Sequence, residues 1–95
     1  MASKEAYQKK LQAQLEEWDA RLDVFAAKAR NATAGARVNY ENELEVLKVK
    51  RAAAHEKLQE LGRRGESAWA EMKDAVEKTW DDMGKAIEKA AARFK

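Results

Sequence analysis

The chain has 95 residues with no proline, no cysteine and four glycines; 38% are charged, and 19 basic against 17 acidic residues leave a net charge of +2. That length holds one small domain or one extended helical element. The missing cysteines exclude disulfides and thiol chemistry, and the near balance of charge, with no strongly one-signed segment, speaks against nucleic-acid binding.

A composition dominated by Ala, Glu, Lys, Arg and Leu is that of long helices or coiled coils. Met1–Glu5 is polar with no apolar signal core behind it, and no apolar run approaches the length of a membrane span, so the expected location is cytoplasmic.

From the N-terminus, Leu11, Leu15, Trp18, Leu22, Phe25 and Ala29 are spaced alternately four and three apart, a heptad seam along one helix face. A second seam, Tyr40, Leu44, Leu47, Arg51, Ala54, Leu58 and Leu61, has the same alternation. The step from Ala29 to Tyr40 is eleven residues, and eleven inserted among heptads is a stutter that relaxes a supercoil without breaking the helix. Asn31 and Gly35 favour a turn at the same place. The phase relation predicts one helix over residues 4–61, about 90 Å long at about 1.5 Å per residue. The alternative is a turn at 31–35 and a three-helix bundle.

A hinge is expected at 62–66. Gly62 can take the left-handed conformation that closes a helix, with Arg63 and Arg64 facing its last carbonyls and Gly65 adding freedom. Ser67 can cap the next helix, with Glu66 and Glu71 near its positive end.

That last helix, expected over 67–94, repeats every eleven residues. Trp69/Trp80, Met72/Met83, Ala75/Ala86, Glu77/Glu88 and Lys78/Lys89 coincide, Glu71/Asp82 and Val76/Ile87 are alike, and Ala91 and Phe94 begin a third copy. At about 3.67 residues per turn, matching positions stack along one nearly straight face. Glu5/Lys9, Glu17/Arg21, Glu60/Arg64, Asp74/Lys78 and Asp81/Lys85 place acid before base four residues apart, each adding about 0.2–0.5 kcal/mol to a solvated helix.

Chemical motifs are sparse. His55 has no cysteine or second histidine to share a metal with and suits a helix flank. Glu77 and Asp81 share a helix face, but lysines 78, 85 and 89 surround them, as in a solvated charged face. Asn31-Ala32-Thr33 matches a glycosylation triplet, without an export signal to make use of it. Trp69 and Trp80 suit a helix–helix core, with an interfacial membrane role as the competing reading; the acidic balance of their helix opposes an anionic surface. Gly84 can permit close approach of another helix. No cluster of acid, base, nucleophile or metal ligands appears, so neither an enzyme nor a cofactor is expected.

Tyr7–Asp19, Tyr40–Leu47, Lys57-Leu58 and the tail from Trp69 to Phe94, with its terminal Ala90-Ala91-Ala92-Arg93-Phe94-Lys95, resemble a bacterial family of short coiled-coil stress-response proteins best known from cyanobacteria. That resemblance covers most of the chain and implies an all-α protein tied to salt or other stress, with no defined enzymatic activity. Asn31, Thr33 and Gly35 depart from the alanine-rich helix formers of that family. The eleven-residue repeat is also similar to those of late-embryogenesis-abundant proteins and exchangeable apolipoproteins, which implies helices that coat lipid or fold as water is withdrawn. Its Trp, Met and Ile are larger than the small apolar residues usual in desiccation proteins, which favours a folded hairpin.

The expected fold is an all-α helical hairpin with a long first arm. Its helix–helix surface comprises the first-seam residues Leu11, Leu15, Trp18, Leu22 and Phe25; the second-seam residues Tyr40, Leu44, Leu47, Leu58 and Leu61; and Trp69, Met72, Val76, Trp80, Met83, Ile87 and Phe94 of the repeat. A long arm paired over half its length exposes Leu11 to Phe25, so self-association is expected, most simply as an antiparallel dimer. The expected function is a stress-associated scaffold acting through helix–helix association, with a reversible membrane-surface or desiccation protectant using residues 68–94 as the alternative.

Overall fold

Ser3 starts the first helix: extended at ψ 164°, it accepts the Ala6 N–H at 3.1 Å through its hydroxyl, and Glu5 lies in the first turn. A computed structural model describes residues 3–65 and 67–94. It shows an all-α protein with three helices and no strand among the described residues: α1 (Lys4–Arg30), α2 (Ala34–Arg63) and α3 (Lys73–Arg93).

The helix expected over 4–61 is therefore two helices. Asn31 ends α1 with ψ near 0°, Ala32 N–H tightens the last turn onto Ala29 O at 3.2 Å, and Thr33, extended at ψ 158°, redirects the chain. The Thr33 carbonyl then accepts Arg37 N–H at 2.7 Å, which places Gly35 inside α2 rather than in the turn. Magnitudes explain the break. A turn forfeits a few backbone hydrogen bonds, each about 0.5–1.5 kcal/mol net. It allows Leu11, Leu15, Trp18 and Phe25 to be buried, at about 1.5–3 kcal/mol for a large apolar side chain. The eleven-residue step between seams is uninformative, because a turn restarts the helix in any phase.

The expected hinge also differs. Gly62 lies within α2, and no described residue has positive φ. The helix end is sealed from outside instead: Lys4 Nζ donates to the Gly62 carbonyl at 3.0 Å and to the Arg64 carbonyl, placing a cation on the negative end of α2. A Cβ at Gly62 would fall 2.8 Å from Gln8 Nε2 of α1, the mobile end of a side chain that can move aside, so packing does not demand a glycine there. Gly65 sits in open space and its carbonyl accepts the Ala68 and Trp69 N–H groups. Glu66, with its expected place near the positive end of the next helix, lies outside the described residues. Ser67 caps nothing: the chain enters α3 through a 3-10 turn, Trp69–Met72, and neither element has a side-chain cap.

Two lysines of α1 fix the helix directions. Lys4, at its start, reaches the end of α2, and Lys28, near its end, donates to the Phe94 carbonyl beyond α3 at 2.9 Å. The helices α1 and α3 thus run parallel, with α2 antiparallel to both, in a body measuring 52 × 18 × 17 Å.

Candidate functional site

The apolar surface proposed from the sequence is one continuous core. Leu11, Leu15, Trp18, Phe25, Leu44, Leu47, Leu58, Leu61, Met72, Val76, Trp80, Met83, Ile87 and Phe94 are all buried, while Leu22, Tyr40 and Trp69 are half-buried against them. The expected exposure of Leu11 to Phe25 is therefore not found. The antiparallel dimer inferred from it loses its ground, because these side chains meet others of the same chain.

Aromatic pairs fill the space between the two parallel helices. Tyr7 packs on Trp69 (ring centroids 5.5 Å apart), Trp18 on Trp80 (5.9 Å) and Phe25 on Phe94 (4.8 Å). Tyr40 of α2 closes on Phe94 at 4.6 Å. Tyr7 is the principal residue that sequence reasoning missed, and a signal existed: it precedes Trp18 by eleven residues, as Trp69 precedes Trp80. Trp69 makes its pair from the 3-10 turn that leads into α3, and Trp80 from α3 itself. Gly84 adjoins this seam, but a Cβ there would meet Trp18 at an ordinary 3.8 Å, so close packing does not demand a glycine.

Ion pairs join α2 to its neighbours. Arg51, part of the second seam, turns its guanidinium to Asp19 through two bonds of 2.8 and 2.9 Å. Those bonds hold the Asp19 carboxyl below its usual range, aided by the positive charge of Arg51 and a smaller contribution from His55. Lys50 pairs with Asp82 at 2.8 Å and Arg93 with Glu43 at 3.0 Å. Among the described residues none joins α1 to α3. Of the pairs expected along single helices, Glu5/Lys9, Glu60/Arg64 and Asp81/Lys85 lie within 4 Å.

Among the described residues three buried polar atoms have no hydrogen-bond partner: Tyr7 Oη, His55 Nδ1 and Trp80 Nε1. Burial first, and then the charge of Glu77, push the Tyr7 hydroxyl above its ordinary pKa. The α3 carboxylates are dispersed: Asp82 faces Lys50, Asp81 faces Lys85 and Glu77 lies toward Tyr7. Among the described residues no group of three His, Cys, Asp or Glu side chains is placed to hold a metal ion, and no helix is long and apolar enough to cross a membrane.

The surface carries several hollows, one of about 480 Å³ at the α1–α2 turn, lined by Lys28, Asn31, Ala32, Thr33, Ala36, Tyr40 and Phe94. The outer face of α2 exposes Val38, Val46 and Val49 at 59%, 52% and 65%. On the opposite side, where the backbones of α1 and α3 approach at few points, the seam opens into two hollows. One of about 370 Å³ is lined by Gln14, Trp18, Trp80, Asp81, Gly84, Lys85 and Glu88, and one of about 210 Å³ by Arg21, Val24, Phe25, Lys28 and Ala91. No family model matches this chain, and no curated protein or solved structure matches it either.

Proposed function

We propose that this chain is a non-enzymatic interaction protein: a self-sufficient three-helix bundle in the cytoplasm whose surface, rather than its buried core, meets a partner. One observation carries the reading. The apolar residues of all three segments pack on one another within a single chain, and every residue buried in that core is a hydrophobic one. The bundle then needs neither lipid nor a partner to fold, and its association chemistry lies in what the core leaves exposed. A stress-associated role rests on the resemblance of Tyr7–Asp19, Tyr40–Leu47 and Trp69–Phe94 to the short coiled-coil family.

The competing reading, a membrane-surface protectant, draws support from the open α1–α3 seam, through which α3 could swing away to present Val76, Trp80, Met83 and Ile87 to lipid. Far-ultraviolet circular dichroism through a thermal melt, in buffer and with anionic vesicles, separates the two. A self-sufficient bundle gives high helicity and one cooperative transition, unchanged by vesicles. Low helicity that rises with lipid overturns the proposal and favours the membrane reading.

A further inference from the structure

The turn between α1 and α2 is held by little. Its three residues, Asn31, Ala32 and Thr33, include no proline, and none has positive φ. Asn31 stays in the right-handed region, and Thr33 is extended at φ −63° and ψ 158°. The Thr33 hydroxyl caps no N–H group of α2.

The helical phase is kept across this turn although a single chain does not require it. A turn restarts a helix in any phase. Yet the eleven residues from Ala29 to Tyr40 come within about 20° of three whole turns at about 100° per residue. Thr33 and Ala36 carry the seam between them in steps of four and three. Straightened, α1 and α2 would be one helix over residues 4–63, about 90 Å long, with both seams along one face. One chain cannot bury the first half of such a helix, but two chains can bury each other's.

The level of α1 against α2 shows how. Asp19 lies level with Arg51, and Lys4 with Gly62 and Arg64. The helices thus run past each other about a point near residues 33–35. Two straightened chains set antiparallel at that point put α1 of each beside α2 and α3 of the other, in the place α1 holds in the bundle. The core contacts return between chains, with Trp18 on Trp80, Phe25 on Phe94 and Arg51 against Asp19. Arg30, which shares a hollow with Glu41 across the α1–α2 seam, keeps that neighbour too. What is new is the crossing of residues 31–37 with their own copies. There the seam side chains, Thr33 and Ala36, are small, and the one charge, Arg37, is already paired with Glu41 at 2.8 Å. The helix α3 ends before that crossing, since Phe94 beyond it stacks on Tyr40.

We infer that two copies of this chain exchange α1, each straightening its Asn31–Thr33 turn, to form a closed pair of bundles joined end to end. The pair rests on the proposed self-sufficient bundle, which each of its halves repeats, and adds a second copy as partner. It is isologous and stops at two. The core is kept and helical hydrogen bonds are recovered across the turn, while two chains must come together, so concentration decides between the forms. Exchange first draws Leu11, Leu15, Trp18 and Phe25 out of the core, which makes it as slow as unfolding.

The full chain, refolded from urea at micromolar and at millimolar concentration and separated by gel filtration, tests this. The concentrated sample should yield a dimer that persists on dilution. Its maximum dimension in small-angle X-ray scattering should be about 90 Å, against 52 Å for the bundle. Ala34→Pro locks the turn. At the first position of α2, after an extended residue, proline fits the bundle, whereas in the straightened helix it falls in the interior. The variant should melt like the wild-type bundle and associate about 10⁴-fold more weakly, because both long helices would carry the proline. Asn31→Ala/Thr33→Ala should strengthen association about ten- to a hundred-fold.

A charge exchange reads the swap itself. Asp19→Arg and Arg51→Asp each set like charges against each other within one chain. In a swapped heterodimer of the two variants, both halves hold an opposite pair. Refolded together, they should give heterodimers well beyond the statistical half, counted by native mass spectrometry.

A wild-type chain that melts cooperatively yet stays monomeric after concentrated refolding overturns the exchange and leaves the bundle reading intact. A dimer that Ala34→Pro does not weaken, or charge variants that mix at the statistical half, show copies meeting by their surfaces and overturn it as well. A chain without helicity in buffer removes both proposals together.

Discussion

Trp18 and Trp80 sit on different helices with ring centroids 5.9 Å apart and are 5% and 6% exposed. Their coupling tests the turn at Asn31–Thr33 directly. In a hairpin with one helix over 4–61, Trp80 would still lie near residue 51 of α2. Trp18 would stand more than thirty residues up the same helix, about 50 Å away at about 1.5 Å per residue. A chain of 95 residues at about 0.05–0.15 kcal/mol each has about 5–14 kcal/mol of stability. Two tryptophan-to-alanine changes at about 3–5 kcal/mol each would consume most or all of it. Trp18→Leu and Trp80→Leu keep an apolar filling while removing the ring contact, and suit a double-mutant cycle. Urea unfolding followed by circular dichroism at 222 nm, rather than by the fluorescence of the residues being changed, should give a coupling of about 0.5–1.5 kcal/mol. Additivity to within about 0.3–0.5 kcal/mol would refute the contact, and the turn with it.

Gly62→Ala should raise the melting temperature, because Gly62 is helical and the approaching Gln8 amide is the mobile end of a side chain; the gain is at most about 1 kcal/mol. A loss would restore the left-handed hinge. The Asp19 carboxyl is held below its ordinary value, so its contribution is full above about pH 4 and fades as pH falls through the folded-state value. With the Asp19 and Arg51 side chains 41% and 33% exposed, that contribution is under about 1 kcal/mol. Melts of Asp19→Asn between neutral and acidic pH should show a lower plateau than wild type and a shallower fall. Tyr7 has the opposite sign, with its neutral form favoured in the fold, so stability present below about pH 10 is lost as pH rises through its raised folded-state value. Tyr7→Phe also removes a buried hydroxyl without a partner. It should be neutral or stabilising by about 1 kcal/mol at pH 7 and lose less than wild type at alkaline pH; a clear loss at pH 7 would show that the hydroxyl has a partner.

The seams were legible because burial obeys a period. Leu11, Leu15, Trp18 and Phe25, and Leu44, Leu47, Leu58 and Leu61, all lie in the core where their spacing put them. What spacing cannot carry is which seam faces which. A stutter and a turn leave the same phase between Ala29 and Tyr40, and the choice is made by tertiary burial, which a one-dimensional pattern does not contain. Glycine was misleading for a related reason: Gly62 signals a left-handed end, yet Lys4, far away in sequence, supplies the cap. The open groove between α1 and α3 was illegible for the same reason: its two walls come from helices at opposite ends of the chain.

The parallel course of α1 and α3 has a mechanical consequence. Ser3 and Phe94 lie at opposite poles of a rod 52 Å long, so tension applied through them runs along the helix axes. Under that load the helices must slide past one another, and the rings of Tyr7, Trp18 and Phe25 must leave Trp69, Trp80 and Phe94 together. A two-helix hairpin, pulled by neighbouring ends, would peel apart one turn at a time. Placed in series between two attachments, this chain would behave as a strut loaded in shear, yielding all at once rather than by degrees.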